Sequence, residues 1–226
     1  MPFDWERVFG RVAPRVIDVG CGSGRFVIEA AAANPARDYL GIESVASLVE
    51  QALRDAIRRG LPNARFVAAD AAGWLAAEAA PGSIDEIHVY HPQPYYDPGQ
   101  VPLELLSPEF FERARTLLRP DGLLVLQTDN RRYGKHLLEA VAICFEAEVQ
   151  DGPWPDAPLG RTQREIVARR KGLPILRILA RRRERPLDRP APAPYFDPSR
   201  PGLRTRRPNR KKAASRQASG GHAIIE

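Results

Sequence analysis

The sequence predicts an α/β fold, a mostly parallel seven-stranded sheet with helices on both faces. Two observations carry this. Short apolar runs alternate with helical stretches through the first 180 residues, the order that builds βαβ units. The first run, Val16-Ile17-Asp18-Val19, leads directly into Gly20-Cys21-Gly22-Ser23-Gly24 and a helical stretch, the strand–loop–helix unit of open parallel sheets.

The elements follow in order. A helix over Arg25 to Ala33 stops at Asn34-Pro35, where the residue before proline is driven out of helical geometry. Tyr39 to Glu43 reads as the second strand. Ser44 is placed to cap a helix running to Arg59, closed by Gly60 and Pro62. Ala64 to Ala68 is the third strand, ending at Asp70, and Ala72 to Ala80 a helix stopped by Pro81-Gly82. Ile84 to Tyr90 is the fourth strand. Ser107 with Pro108 at the first helical position opens a helix to Leu118. Pro120-Asp121-Gly122 reads as a turn before the fifth strand, Leu123 to Thr128. Tyr133 to Phe145 is helical and Ala147 to Val149 a sixth strand. Thr162 to Lys171 reads as a helix closed by Gly172, and Ile175 to Ala180 as the last strand.

Residues 1–183 thus form one domain. Residues 184–226 hold seven prolines and no apolar period, the composition of a disordered, basic tail. Residues 181–226 carry 13 Lys and Arg against 4 Asp and Glu, a net +9, while residues 1–180 sum to −3. This asymmetry points to a polyanionic partner, nucleic acid before membrane, or else to a solubilising extension. No apolar run approaches the roughly 18 residues of a membrane span, and no secretory pattern opens the chain. Two cysteines, Cys21 and Cys144, support neither a disulfide framework nor a four-ligand zinc site. The expectation is a monomer in the reducing cytoplasm, without metal.

The glycine loop lacks the third position of a dinucleotide fingerprint, where Arg25 stands; its glycines are Gly20, Gly22 and Gly24. Acidic residues close the first three strands instead. Asp18 can accept from an ammonium, Glu43 from two ribose hydroxyls and Asp70 from an adenine amine. A ligand with an amine, a ribose and an adenine but no phosphate is S-adenosylmethionine (SAM). A nicotinamide cofactor is the alternative, since a ribose acid suits both. Nothing near Cys21 would lower its pKa, so it reads as a packing residue.

The loop Asp18 to Gly24, Leu40-Gly41-Ile42-Glu43, Asn63 through Asp70, the Thr128-Asp129-Asn130 corner with Tyr133, and Thr162-Gln163-Arg164-Glu165 with Gly172 resemble the bacterial tRNA (guanine-N7)-methyltransferases. That family modifies guanosine 46 in the variable loop. The resemblance covers roughly residues 3 to 181. It implies a Rossmann-like class I methyltransferase fold and SAM held by Asp18, Glu43 and Asp70. It also implies tRNA guanosine held by Asp129 and the segment Thr162, Gln163, Arg164 and Glu165. After the fourth strand the family has Phe-Pro-Asp-Pro-Trp and then a basic cluster. Here the chain reads His91-Pro92-Gln93-Pro94-Tyr95-Tyr96-Asp97. Gln93 replaces the central carboxylate in a cofactor-binding and catalytic position, and Asp97 falls where the family has lysine.

Guanine N7 carries a lone pair and no proton, so its methylation calls for alignment and for stabilisation of the positive charge that appears on the ring. A carboxylate on the N1–H and N2–H₂ edge does both. Asp129 is the first candidate, Glu165 the second, and Gln93 can accept one hydrogen bond without charge. Tyr95 or Tyr96 can stack on an extruded base, or the Pro-Tyr stretch is a rigid turn. His88 reads as a strand residue, His91 as a loop residue near the cofactor, and Trp154 as packing. Arg131, Arg132, Lys135, Arg161, Arg164, Arg169, Arg170 and Lys171 are candidate phosphate contacts or solvated faces. Two other functions fit parts of the pattern: methylation of a small molecule or protein, and RNA binding without catalysis.

Overall fold

The structure is a computed structural model that describes residues 2–95, 99 and 104–195. Its sheet contains β1 (Arg15–Val19), β2 (Asp38–Glu43), β3 (Ala64–Ala68), β4 (Ile84–Tyr90), β5 (Leu118–Thr128), β6 (Phe145–Val149) and β7 (Leu176–Arg182). The helices are α1 (Trp5–Phe9), α2 (Arg25–Ala33), α3 (Ala46–Arg58), α4 (Ala71–Ala77), α5 (Pro108–Leu117), α6 (Arg131–Cys144) and α7 (Gln163–Arg170). The strand order is β3-β2-β1-β4-β5-β7-β6. The first five strands pair in parallel, and β7 enters antiparallel between β5 and β6. The order reverses between β1 and β4, so their carboxyl ends flank the crevice where ligands bind in such sheets.

Alternation along the strands sends side chains to two cores. Ile17, Val19, Leu40 and Ile42 face Trp5, Trp74, Phe111, Leu137 and Val141, the buried stripes of α1, α4, α5 and α6. Val16, Tyr39, Phe66 and Tyr90 face Phe26, Val27, Val49 and Ala52 of α2 and α3, with Trp154 completing that layer.

Four local features differ from the sequence reading, each for a physical reason. The short α1 is too brief to show a period; Asp4 caps it, its Oδ1 accepting from Arg7 N at 3.0 Å. Ser44 does not cap α3. Its hydroxyl donates to Glu43 Oε1, which also accepts from Val45 N at 3.0 Å, so the carboxylate organises that turn. The Pro120-Asp121-Gly122 turn lies inside β5: Leu118 pairs Ile84 and Leu123 pairs Glu86, so Arg119–Gly122 bulge opposite Asp85. Helix α6 starts at Arg131 because Asn130 Oδ1 accepts from the amides of both Arg132 and Tyr133.

The start of the expected disordered tail lies against α6. Leu187 N donates to Ile143 O at 2.8 Å, and the Tyr195 ring sits 5.2 Å from Tyr133 and 5.4 Å from His136. Residues 196–226, with most of the tail's basic residues, lie outside the described residues. Among the described residues no helix is long and apolar enough to cross a membrane, and no group of three or more His, Cys, Asp or Glu is arranged to hold a metal.

Candidate active site

The loop after β1 turns on three glycines with positive φ: Gly20 at 72°, Gly22 at 55° and Gly24 at 75°, a region other residues enter at a cost. Gly24 is doubly constrained, since a Cβ there would lie 2.6 Å from Phe66 Cε1 and 2.7 Å from Ala52 Cβ. Glu43 reaches the loop from the neighbouring strand, its Oε2 accepting from Gly22 N at 3.1 Å. Asp18 lies under the loop, 3% exposed, and its Oδ1 has no hydrogen-bond partner among the described residues. Burial, helped by the nearby charge of Glu43, pushes the Asp18 carboxyl up to about 8. Cys21 is pushed upward by burial and by the Asp18 and Glu43 charges, which makes it a poor nucleophile.

A cavity of about 590 Å³ is lined by Gly20, Glu43, Asp70, Leu75, Tyr95 and Phe110 among others. One of about 240 Å³ is lined by Asp18, Gly20, Gly22, Tyr90, His91 and Arg164 among others. Gly20 borders both, so the two meet at the glycine loop. Asp70, at the end of β3, caps α4 with Oδ2 on Gly73 N at 2.8 Å. The orphaned, buried Asp18 carboxylate fits an ammonium, and Glu43 and Asp70 lie along the larger cavity as a nucleoside requires. The residues present therefore fit SAM.

Asp129 stands at the end of β5, fixed there by the Asn130 cap of α6. Its Oδ1 accepts from His91 Nδ1 at 3.2 Å and from Arg164 Nε at 3.1 Å. The hydrogen bond from His91 and then the one from Arg164 hold its carboxyl well below the usual carboxylate range, against burial. Oδ2 makes no hydrogen bond with the described residues, so the carboxylate is pinned on one oxygen and open on the other. His91 Nε2 in turn lies 2.8 Å from Gln127 Nε2, and Trp154 Nε1 donates to Gln127 Oε1 at 2.6 Å. Gln93, by contrast, is exposed and donates to His91 O at 3.3 Å.

Thr162 and Glu165 build the start of α7. Thr162 Oγ1 accepts from Glu165 N at 3.1 Å, and Glu165 Oε2 accepts from Arg161 N at 2.8 Å. The other Glu165 oxygen accepts from Arg177 Nη2 at 2.5 Å, and the side chain is fully buried. This corrects the expectation that Glu165 contacts substrate: both its oxygens are spent inside the fold. The Thr-x-x-Glu spacing is itself a capping signature, so the sequence held that signal. Gln163 and Arg164 are exposed, and with Thr162 they border the smaller cavity. Arg161 lies between layers, its guanidinium 3.9 Å from the Trp154 ring centroid and donating to Tyr90 OH at 3.0 Å.

The site therefore unites Asp18, the glycine loop, Glu43, Asp70, Asp129 and Thr162–Arg164 at one sheet edge. Asp97 and Tyr96 lie outside the described residues. The links from His91 through Gln127 to Trp154 went unread, since they join positions 27 to 36 residues apart. His88 is a buried strand residue bonded to Glu86 and Tyr90, as expected.

A glycine loop at the switch point, strand-end acids beside it and an antiparallel β7 between β5 and β6 define a class I methyltransferase. A family described as "Putative methyltransferase" matches residues 12–178. A tRNA (guanine-N(7)-)-methyltransferase of Alkalilimnicola ehrlichii is 35% identical over 82% of this chain and 79% of that one, and the enzyme of the same name from Pseudomonas entomophila is 31% identical over 70% and 66%. The chain belongs to the tRNA (guanine-N7)-methyltransferase family, and its methyl donor is SAM. The fold is shared with the 16S rRNA methyltransferase KamB (TM-score 0.57, 17% identity, 80% of this chain and 95% of that one). It is also shared with the 16S rRNA (adenine(1408)-N(1))-methyltransferase of Catenulisporales acidiphilia (TM-score 0.54, 18% identity, 80% and 93%).

Proposed function

We propose that the chain transfers the methyl group of SAM to N7 of guanosine 46 in tRNA. The observation that carries this reading is the Asp129 carboxylate, kept ionised and tied by Oδ1 to His91 and Arg164, which line the smaller cavity with Gly20 and Gly22, while Oδ2 makes no hydrogen bond with the described residues. SAM supplies an electrophilic methyl group on a sulfonium. Asp18 holds its ammonium, and Glu43 and Asp70 hold its ribose and adenine. Asp129 Oδ2 accepts from the N1–H and N2–H₂ edge of guanine, which orients the ring and stabilises the charge it acquires. No group takes a proton from N7, because N7 has none.

Thr162 and Glu165 act by holding the α7 start, which presents Gln163 and Arg164 to the base. Arg164, half exposed, can leave Asp129 for an RNA phosphate. Arg131, Arg132 and Lys135 on α6 and Arg169, Arg170 and Lys171 at the end of α7 are exposed and serve as phosphate contacts, with the basic tail adding diffuse ones. The enzyme works as a cytoplasmic monomer without metal.

Methyl transfer from radiolabelled SAM to unmodified tRNA, with borohydride–aniline mapping, tests the reading; cleavage at guanosine 46 is expected. The uncharged, exposed Gln93 favours a second reading, methylation of a small molecule or protein. SAM binding with no transfer to tRNA would support that or a silent RNA-binding role. Gln93→Asp is expected to keep or raise tRNA methylation; a large loss would sink the idea that Gln93 weakens the site without abolishing it.

A further inference from the structure

We propose that His91 is a positioning residue of this site: backed by Gln127 and Trp154, it aims the Asp129 carboxylate. This rests on the reading of Asp129 as the guanine-edge carboxylate. Trp154 Nε1–H is a donor only. It donates to Gln127 Oε1, so the Gln127 amide turns its NH₂ to His91 Nε2. Nε2 therefore accepts, the ring carries its proton on Nδ1, and Nδ1–H donates to Asp129 Oδ1. The polarity runs one way from Trp154 to Asp129.

The chain is locked by burial. Trp154 is 1% exposed, Gln127 0% and His91 7%. Flipping the Gln127 amide would set two donors against each other at Trp154 and leave a buried group unpaired, which is costly. The backbone agrees with the side chains. His91 N donates to Gln127 O at 2.6 Å, so residues 91 and 127 are joined twice. His91 has φ 54°, the one positive φ outside glycine among the described residues. Such a conformation persists where its surroundings over-determine it, and it gathers at functional sites. The result is a carboxylate with Oδ1 occupied and Oδ2 without a hydrogen bond to the described residues.

The test has two parts. In full-length, ¹⁵N-histidine-labelled protein at neutral pH, the free enzyme is expected to show His91 protonated at Nδ1 and bare at Nε2. An Nε2–H tautomer or an imidazolium would overturn the proposal. That readout needs no substrate, so it stands even if tRNA is not methylated. For activity, His91→Phe is expected to lower kcat about tenfold to a hundredfold, the scale of a small misalignment at the reacting centre, with KM for tRNA changed less. His91→Asn, which restores a donor toward Asp129, is expected to recover part of the loss. In an Asp129→Asn background, His91→Phe should add almost nothing, because the two act as one unit. Multiplying losses in that cycle, or a loss confined to KM, would overturn it, with melting temperatures of each variant separating misfolding from misalignment.

Discussion

Binding of SAM should expel a proton from Asp18. The perturbation is the arrival of an ammonium at a buried carboxylate whose Oδ1 has no partner among the described residues. Burial and Glu43 push that carboxyl from 3.8 up to about 8. One pKa unit corresponds to ~1.4 kcal/mol, so keeping Asp18 ionised in the unliganded fold costs on the order of 6 kcal/mol. The sign follows from linkage. With its folded value raised, Asp18 binds more protons folded than unfolded between pH 4 and 8, so stability falls as pH rises through that window and is flat above it. An ammonium reverses the balance by favouring the carboxylate. At pH 6 to 7 binding should therefore release about one proton, and affinity should rise roughly tenfold per pH unit, levelling near pH 8. Titration calorimetry in buffers of different ionisation enthalpy reads the proton count directly. Asp18→Asn should abolish both the release and the slope, and should raise the melting temperature of the unliganded protein at pH 8 more than at pH 5. A buffer-independent enthalpy for the unaltered protein, or equal proton release in Asp18→Asn, would refute the reasoning.

Three further outcomes are expected. Asp129→Asn should lower kcat about 10²–10³-fold, the scale of one lost charge-stabilising contact, with little change in SAM affinity by calorimetry. Glu165→Gln should cost about 3–5 kcal/mol in denaturant unfolding, because it strips the buried Arg177 of its counter-charge; a loss of activity with unchanged stability would return Glu165 to the substrate. Truncation after Tyr195, which keeps the contacts with α6, should weaken tRNA binding and flatten its dependence on salt; an unchanged slope in filter binding would remove the tail from the RNA interface.

Much of this molecule was legible residue by residue. The glycine loop, the acids ending β1, β2 and β3, and most element boundaries came from local signals: caps, glycine stops and strand periods. These act within a few residues, so sequence order exposes them. The alternation of strand and helix likewise set the parallel part of the sheet. Pairing across the chain is a different matter. That β7 inserts antiparallel between β5 and β6 is decided by which apolar edges cover one another, and no local pattern encodes it. Glu165 is an instructive case, since its spacing from Thr162 fitted both a cap and a substrate contact. Only the arrival of Arg177 from β7 turned it inward. His91, Gln127 and Trp154 are ordinary residues in the sequence; folding buries them together, and burial forces each donor to find an acceptor. The sequence alone thus placed the glycine loop and the strand-end acids, which fit SAM with a nicotinamide cofactor as the alternative, because those features rest on local geometry. Tertiary structure alone decided which carboxylate is free to use, because that depends on the hydrogen bonds distant residues bring to it.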